Sequence, residues 1–304
     1  MDIRSLGYIG FDTVAVDAWL TLAPEVFGFQ LIPRGADGTL YLKMDDRAWR
    51  IALRPGETDE LSYLGWELRG RIEFDLAVEE LRAAGVIVTL AEADLTASRR
   101  VSQMAYFFDP AGFRHEVFYG QEFEPGSFLP GRAISGFVAE RLGLGHAVLT
   151  VPVVTDELRD FAVRILGFKV FAGYRTVGPN GQILGLEFYR CNARSHCMAY
   201  IPSGISRGLT HIGIEVHSLD DVGRAWDMVQ ERGIPIKMTL GRHTMDNLVS
   251  FYIRSPSGFE FEYGAGGDLL DDASFIMQKP NKAEVWGHKF MLEGWGSTVK
   301  PVVR

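Results

Sequence analysis

The chain is one half written twice, and this internal repeat constrains its fold more than any other feature. A strand-like run stands near the middle of each half, LSYLGWEL at 61–68 and LTHIGIEV at 209–216. Leu61 matches Leu209 and Glu67 matches Glu215, both at an offset of 148. An aromatic-flanked turn closes each half: Tyr106, Pro110, Gly112, Phe113 and Glu116 match Tyr252, Pro256, Gly258, Phe259 and Glu262 at a constant offset of 146. LGYIG at 6–10 answers LGHAV at 144–148, an offset of 138, and EVFGF at 25–29 answers RILGF at 164–168, an offset of 139. The drift from 138 to 148 places insertions in loops of the second half. The Gly- and Pro-containing stretch QEFEPGSFLPGRAISGF at 121–137 is the expected linker. It divides the chain into a first domain of residues 1–135 and a second of residues 136–304.

Within each half, period-two and helical patterns alternate. LGHAVLTVPV at 144–153 has strand composition. TDELRDFAVRILGF follows, with Thr155 as N-cap, Leu158, Phe161, Ala162 and Ile165 at helical spacing, and Gly167 as stop. ILGLEFYR at 183–190 and HCMAYI at 196–201 are strand-like and lie near the turn signal GPNG at 178–181. SLDDVGRAWDMVQERG at 218–233 predicts a second helix capped by Ser218 or Asp220, and IKMTLG, LVSFYI and FEFEYG predict three more strands. Each domain is therefore two copies of a strand, a helix and several strands, an α+β arrangement of mixed sheet with peripheral helices.

Composition narrows the partners. A net charge of -8 disfavours nucleic acid and anionic lipid. The longest apolar runs, such as VIVTL at 86–90, fall far short of the roughly 20 residues of a membrane span. The N-terminal MDIRSLGYIG lacks the charged start and apolar stretch of a secretory leader. Two cysteines, Cys191 and Cys197, cannot build a disulfide framework or a four-thiolate site; they read as small buried hydrophobes in a reducing, cytoplasmic setting.

If one copy works while the other supports, chemistry should stand at matched positions of one copy alone. His146 faces Tyr8, His211 faces Tyr63, and only the carboxylate recurs, as Glu262 and Glu116. Two imidazoles and one carboxylate form the facial triad of non-haem Fe(II) oxygenases, which holds one face of an octahedron and leaves the other open. Either histidine alone would more naturally be a structural one; the asymmetry of the repeat singles them out.

The stretch GRHTMDNLVSFYIRSPSGFEFEYG at 241–264 combines His243, a seven-residue spacer, Phe251 and Tyr252, then Pro256, Gly258 and Glu262. With LGLGH ending at His146, NARSHCMAY around His196 and HIGIEV from His211, it resembles the type I extradiol ring-cleavage dioxygenases of the vicinal oxygen chelate superfamily, in particular the two-domain enzymes acting on 2,3-dihydroxybiphenyl and related catechols. The resemblance runs over the whole chain. It implies the vicinal oxygen chelate fold: two similar domains, each of two βαβββ modules forming a partly closed mixed-sheet barrel. It implies His146, His211 and Glu262 as ligands of Fe(II), with Mn(II) as the alternative metal, and His196, His243 and Tyr252 around substrate and dioxygen, with Asp246 orienting the cluster. The implied reaction is cleavage of a substituted or bicyclic catechol by dioxygen outside the diol, in a homo-oligomer, octamer or dimer.

The chemistry of these side chains agrees. A chelating catechol must lose a proton, and neutral His196 is suited to accept it, while His243 and Tyr252 can bond to substrate oxygens. Phe188, Met198, Met245 and Phe251 are the expected apolar lining of the substrate pocket. Ser195, Met245 and Ser255 depart from the residues usual in the family at their positions, which bears on substrate preference and fine rate control. His115, His217 and His288 match no motif and are expected to be structural or exposed. A metal-dependent isomerase or lyase, or a binding protein for small aromatics, are the competing functions on the same architecture; the latter has no use for His196, His243 and Tyr252 beside a full triad.

Overall fold

The computed structural model describes residues 1–124, 126–177, 183–203, 207–277, 282–291 and 300–301. The GPNG turn signal lies outside the described residues. The first half supplies β1 (Ser5–Thr13), β2 (Gln30–Ile32), β3 (Leu40–Lys43), β4 (Ile51–Pro55), β5 (Glu60–Glu67), β6 (Thr89–Leu90), β7 (Gln103–Phe108) and β8 (Arg114–Tyr119). Its helices are α1 (Trp19–Thr21), within a longer helical turn, α2 (Arg71–Ala83) and α3 (Ala93–Arg99). The second half supplies β9 (His146–Val151), α4 (Asp156–Asp160), β10 (Lys169–Val177), β11 (Ile183–Arg190), β12 (Met198–Pro202) and β13 (Gly208–Val216). It continues with α5 (Leu219–Glu231), β14 (Ile236–His243), β15 (Val249–Arg254), β16 (Glu260–Ala265), β17 (Glu284–Trp286) and β18 (Lys300–Pro301).

Each half forms its own mixed sheet, in the orders β2-β3-β4-β1-β5-β8-β7-β6 and β17-β14-β15-β16-β13-β9-β12-β11-β10-β18. The repeat is visible twice over. In every module the first strand runs parallel to the fourth: β1 to β4, β5 to β8, β9 to β12 and β13 to β16. The two modules of each half then join antiparallel through their first strands, β1 to β5 and β9 to β13. This is the vicinal oxygen chelate fold. Both caps expected in the second half form: the Thr155 hydroxyl accepts from the Leu158 N–H at α4, and the Ser218 hydroxyl from the Asp220 N–H at α5.

The second sheet curls strongly. Between β14 and β12 lie five strand spacings, about 24 Å in a flat sheet. Yet Asp246, just past β14, accepts a 2.8 Å hydrogen bond from Ser195, just before β12. The strands therefore wrap into an open barrel whose inner face gathers residues from opposite ends of the sheet.

A buried network links the halves. Asp109 at the end of β7 receives the Phe113 N–H at 2.8 Å, the Tyr200 hydroxyl of β12 at 2.7 Å and the His115 Nε2–H at 3.3 Å. Trp66 Nε1–H donates to His115 Nδ1 at 2.8 Å, which assigns the proton to Nε2. His115 is thus the structural histidine anticipated. Burial alone would raise the Asp109 pKa, but the hydrogen bonds and charge interaction with His115 and the bonds from Tyr200 and Phe113 hold it below its ordinary value. A depressed carboxylate stabilises above its unfolded pKa and loses that contribution as pH falls through the folded one. Asp109→Asn should therefore cost about 1.5–3 kcal/mol near neutral pH, and the urea-unfolding curves of variant and wild type should converge as pH falls through the depressed pKa of Asp109. A pH-independent difference would refute this assignment.

Candidate metal centre and active site

His146 opens β9, His211 lies on β13 and Glu262 on β16, three neighbouring strands whose side chains meet on the inner face. His146 Nε2 is 3.1 Å from His211 Nε2 and 3.0 Å from Glu262 Oε2, and His211 Nε2 is 3.6 Å from the same oxygen. Octahedral bonds of about 2.1 Å set adjacent donors about 3 Å apart, so the triangle fits one face of a metal ion. The donors suit the charge as well. Burial drives the His211 pKa down to about 3, leaving a neutral imidazole. Burial would raise that of Glu262, but hydrogen bonds from His146 and His243 hold it well below the usual range. A β-carbon at Gly213, opposite His146 on β13, would run into the imidazole, so glycine there opens the space that the ring fills.

The matched positions of the first half are closed by protein. Tyr8 donates to Glu116 at 2.9 Å, and a β-carbon at Gly65, the counterpart of Gly213, would meet the Tyr8 ring. Arg99 from α3 clamps Glu116 with bonds of 2.9 and 3.1 Å and lies 3.8 Å over the Tyr63 ring, while Arg114 adds a bond of 3.0 Å. Guanidinium groups thus neutralise the retained carboxylate.

Around the triad stand the other expected residues. The His196 ring centre is 4.1 Å from that of His146. Ser195 donates to Asp246 at 2.8 Å, so its oxygen accepts from His196 Nδ1–H at 3.1 Å. Asp246 therefore orients His196 through Ser195, and the proton on Nδ1 leaves Nε2 with its lone pair. Burial, then the neighbouring His146, pushes the His196 pKa well below its ordinary value. His243 Nε2 lies 2.9 Å from the Tyr252 hydroxyl and 3.3 Å from Glu262 Oε1. Burial would lower its pKa, but the bond and charge of Glu262 raise it above the ordinary value. Burial and the Glu262 charge push the Tyr252 phenol well up, so it stays protonated and can donate.

Two of the four expected lining residues are corrected. Met198 packs in the main core on the face of β12 opposite Ala199, and Phe251 lies in the same core against Trp226 of α5, its ring centre 5.3 Å away. On β15 it is Ser250 and Tyr252 that face inward. Phe188 does stand by the site, its ring centre 5.2 Å from that of His196. It belongs to a separate apolar cluster with Val148, Phe171, Leu186, Ala199 and Ile201, against which Met245, Leu270 and Phe275 pack. Ser255 lines a separate cleft with Arg232 and Pro235. Cys197 is buried and Cys191 partly so, both as free thiols, and burial raises the Cys197 pKa, which suits packing and not reactivity. His217 is exposed. His288 and Ser250 were missed: Ser250 donates to Glu262 Oε1 at 2.6 Å, and the His288 ring centre is 4.2 Å from that of His243. Strand alternation from Tyr252 could have indicated Ser250, but no local signal marks His288.

Fold and site together define a metal-dependent enzyme built from paired βαβββ modules, with one His-His-Glu group among the described residues. Residues 143–263 match the Glyoxalase/Bleomycin resistance protein/Dioxygenase superfamily, and residues 6–56 match Dihydroxybiphenyl dioxygenase BphC D1. The chain is 38% identical to a biphenyl-2,3-diol 1,2-dioxygenase of Metapseudomonas furukawaii, covering 95% of this chain and 94% of that protein. It is 35% identical to an iron-dependent extradiol dioxygenase of Rhodococcus jostii, covering 96% and 99%. A crystal structure of BphC, a halotolerant catechol dioxygenase, superposes with a TM-score of 0.89 at 38% identity over 95% of each chain. The chain belongs to the extradiol dioxygenases of this superfamily.

Proposed function

We propose that this enzyme cleaves a catechol carrying an apolar substituent or second ring beside one hydroxyl, next to that hydroxyl and outside the diol, at Fe(II) held by His146, His211 and Glu262. The observation that carries the reading is the apolar cluster abutting the triad: Phe171 and Phe188 flank His196, with Met245 and Phe275 beyond. The similarity to relatives named as an iron-dependent extradiol dioxygenase and a biphenyl-2,3-diol 1,2-dioxygenase supports the same choice. Bound Fe(II) would offer open positions for the substrate oxygens and dioxygen and carry electrons between them.

The chain's own groups divide the remaining work. His196 Nε2 accepts the proton of a catechol hydroxyl, and Asp246, through Ser195, keeps the acceptor nitrogen turned inward. The Tyr252 hydroxyl and His243 donate to substrate oxygens as charge develops there, in a cavity from which the apolar cluster excludes water. Phe188 and Met245 contact the substituent.

Oxygen uptake by the Fe(II)-reconstituted enzyme with catechol, a 3-alkylcatechol and 2,3-dihydroxybiphenyl tests the substrate. Burying about 80 Å² of added apolar surface is worth about 2 kcal/mol before binding costs, so KM should fall about tenfold for the bicyclic compound. A preference for unsubstituted or carboxylated catechol would overturn the substrate class.

The same reading treats residues 1–135 as a supporting domain and 136–304 as the metal-binding one. It places the enzyme in the cytoplasm, on its free thiols, and in a homo-oligomer, on the exposed apolar side chains Ile72, Leu76, Ile87 and Phe108. Among the described residues no helix is long and apolar enough to cross a membrane. Sedimentation velocity reads the assembly state.

A further inference from the structure

We propose that His288, carried on a C-terminal strap, is a positioning residue of the metal centre: it holds the Ser250 hydroxyl, which holds Oε1 of Glu262 so that Oε2 faces the metal. The inference rests on the reading of His146, His211 and Glu262 as ligands.

The strap is bound to β14 mainly through its backbone. Arg242 pairs with Trp286 and His243 with Glu284, the Thr244 N–H bonds to Ala283 O at 2.9 Å, and the Met291 N–H bonds to Lys237 O at 2.9 Å. Between these anchors the chain turns through two left-handed residues, Gly287 at φ 76° and His288 at φ 49°. A left-handed non-glycine residue persists where its surroundings hold it. Here the turn drives the imidazole inward until only 4% of His288 is exposed. Gly241 on β14 admits it, because a β-carbon at that position would collide with the His288 backbone nitrogen and ring. The strap and β14 are thus shaped around this one side chain.

Inside, His288 Nε2 lies 3.0 Å from Ser250 O and 3.3 Å from Ser250 Oγ. The Ser250 proton is committed to Glu262 at 2.6 Å, so the shared hydrogen is the one on His288 Nε2. Nδ1 then carries a lone pair, and it has no hydrogen-bond partner among the described residues. His243 Nε2 also reaches Glu262 Oε1, at 3.3 Å, and it is expected to turn to substrate. With His243 engaged, Ser250 remains to orient the ligand carboxylate, and His288 fixes Ser250. Groups in this position hold a ligand's geometry and are typically worth about 10- to 100-fold in metal affinity.

Anaerobic titration of the full-length apoprotein with Co(II), followed by its visible absorption, reads the link without turnover. H288A and S250A should each weaken Co(II) binding about 10- to 100-fold, with an altered absorption band, and H288Q, which keeps a donor, should recover most of the loss. The double variant should bind no more weakly than S250A, because both residues act along one path. Melting of the apoproteins shows whether the fold is retained, and S250A leaves the strap untouched if H288A disturbs it. Affinity within about twofold of wild type in S250A or in a folded H288A, or additive losses in the double variant, would overturn the proposal. Failure of the wild type to take up one Co(II), or retention of Co(II) by H211A, would instead overturn the metal centre and the strap's role with it.

Discussion

Replacing His211 with alanine is expected to empty the metal centre and reduce ring cleavage to background. The three donors form a compact triangle with edges of 3.0–3.6 Å, and no other titratable group of the second half completes it among the described residues. Removing one corner leaves one imidazole and one carboxylate, which cannot define a face of an octahedron. The loss should exceed the roughly 10- to 100-fold that outer-shell substitutions cost. Metal analysis of anaerobically purified protein should give about one ion per wild-type chain and close to none for His211→Ala. The first half should contribute nothing, because Tyr8 and Tyr63 replace the imidazoles and the Arg99 guanidinium lies against Glu116. A stoichiometry near two, or metal retained without His211, would sink the assignment.

His196→Ala and His196→Gln should fold, keep the metal and lose turnover. His196 is absent from the donor triangle, so metal content should survive its loss. Its Nδ1 is tied to Ser195, its ring lies beside His146, and burial first, then His146, keeps it neutral at working pH. A neutral imidazole with a free Nε2 can take the catechol proton that a glutamine or alanine cannot. General-base contributions run to about 10²- to 10⁴-fold, so kcat/KM should fall within that range. The loss should lie mainly in kcat, since the contacts proposed for Phe188 and Met245 with the substituent would be retained. Unchanged kinetics in a metal-replete variant would exclude His196 as the base.

Much of this was legible in the chain. The repeat required two similar sheets, and both form with the same module order. Thr155 and Ser218 announced their helices, since a cap is a local hydrogen bond between near neighbours in sequence. The triad could be found because repetition supplies an internal control: the first half carries Tyr8 and Tyr63 where the second carries His146 and His211.

Other features were decided only when the sheet closed. Period-two alternation shows that Phe251 and Tyr252 face opposite ways, but not which face is inward; the register of β15 on β16, pairing Tyr252 with Glu262, settles it against Phe251. Met198 was displaced by the same ambiguity on β12. Barrel curvature brings Asp246 to Ser195 across five strand spacings, turning a departure from the family pattern into the bridge to His196. Arg99 reaches Glu116 from a helix, and His288 reaches Ser250 from a strap that begins well after the last motif residue. Local chemistry is written in neighbouring residues and can be read there. A contact between segments far apart in the chain exists only because packing lowers the free energy of bringing them together, and neither segment carries a mark of it alone.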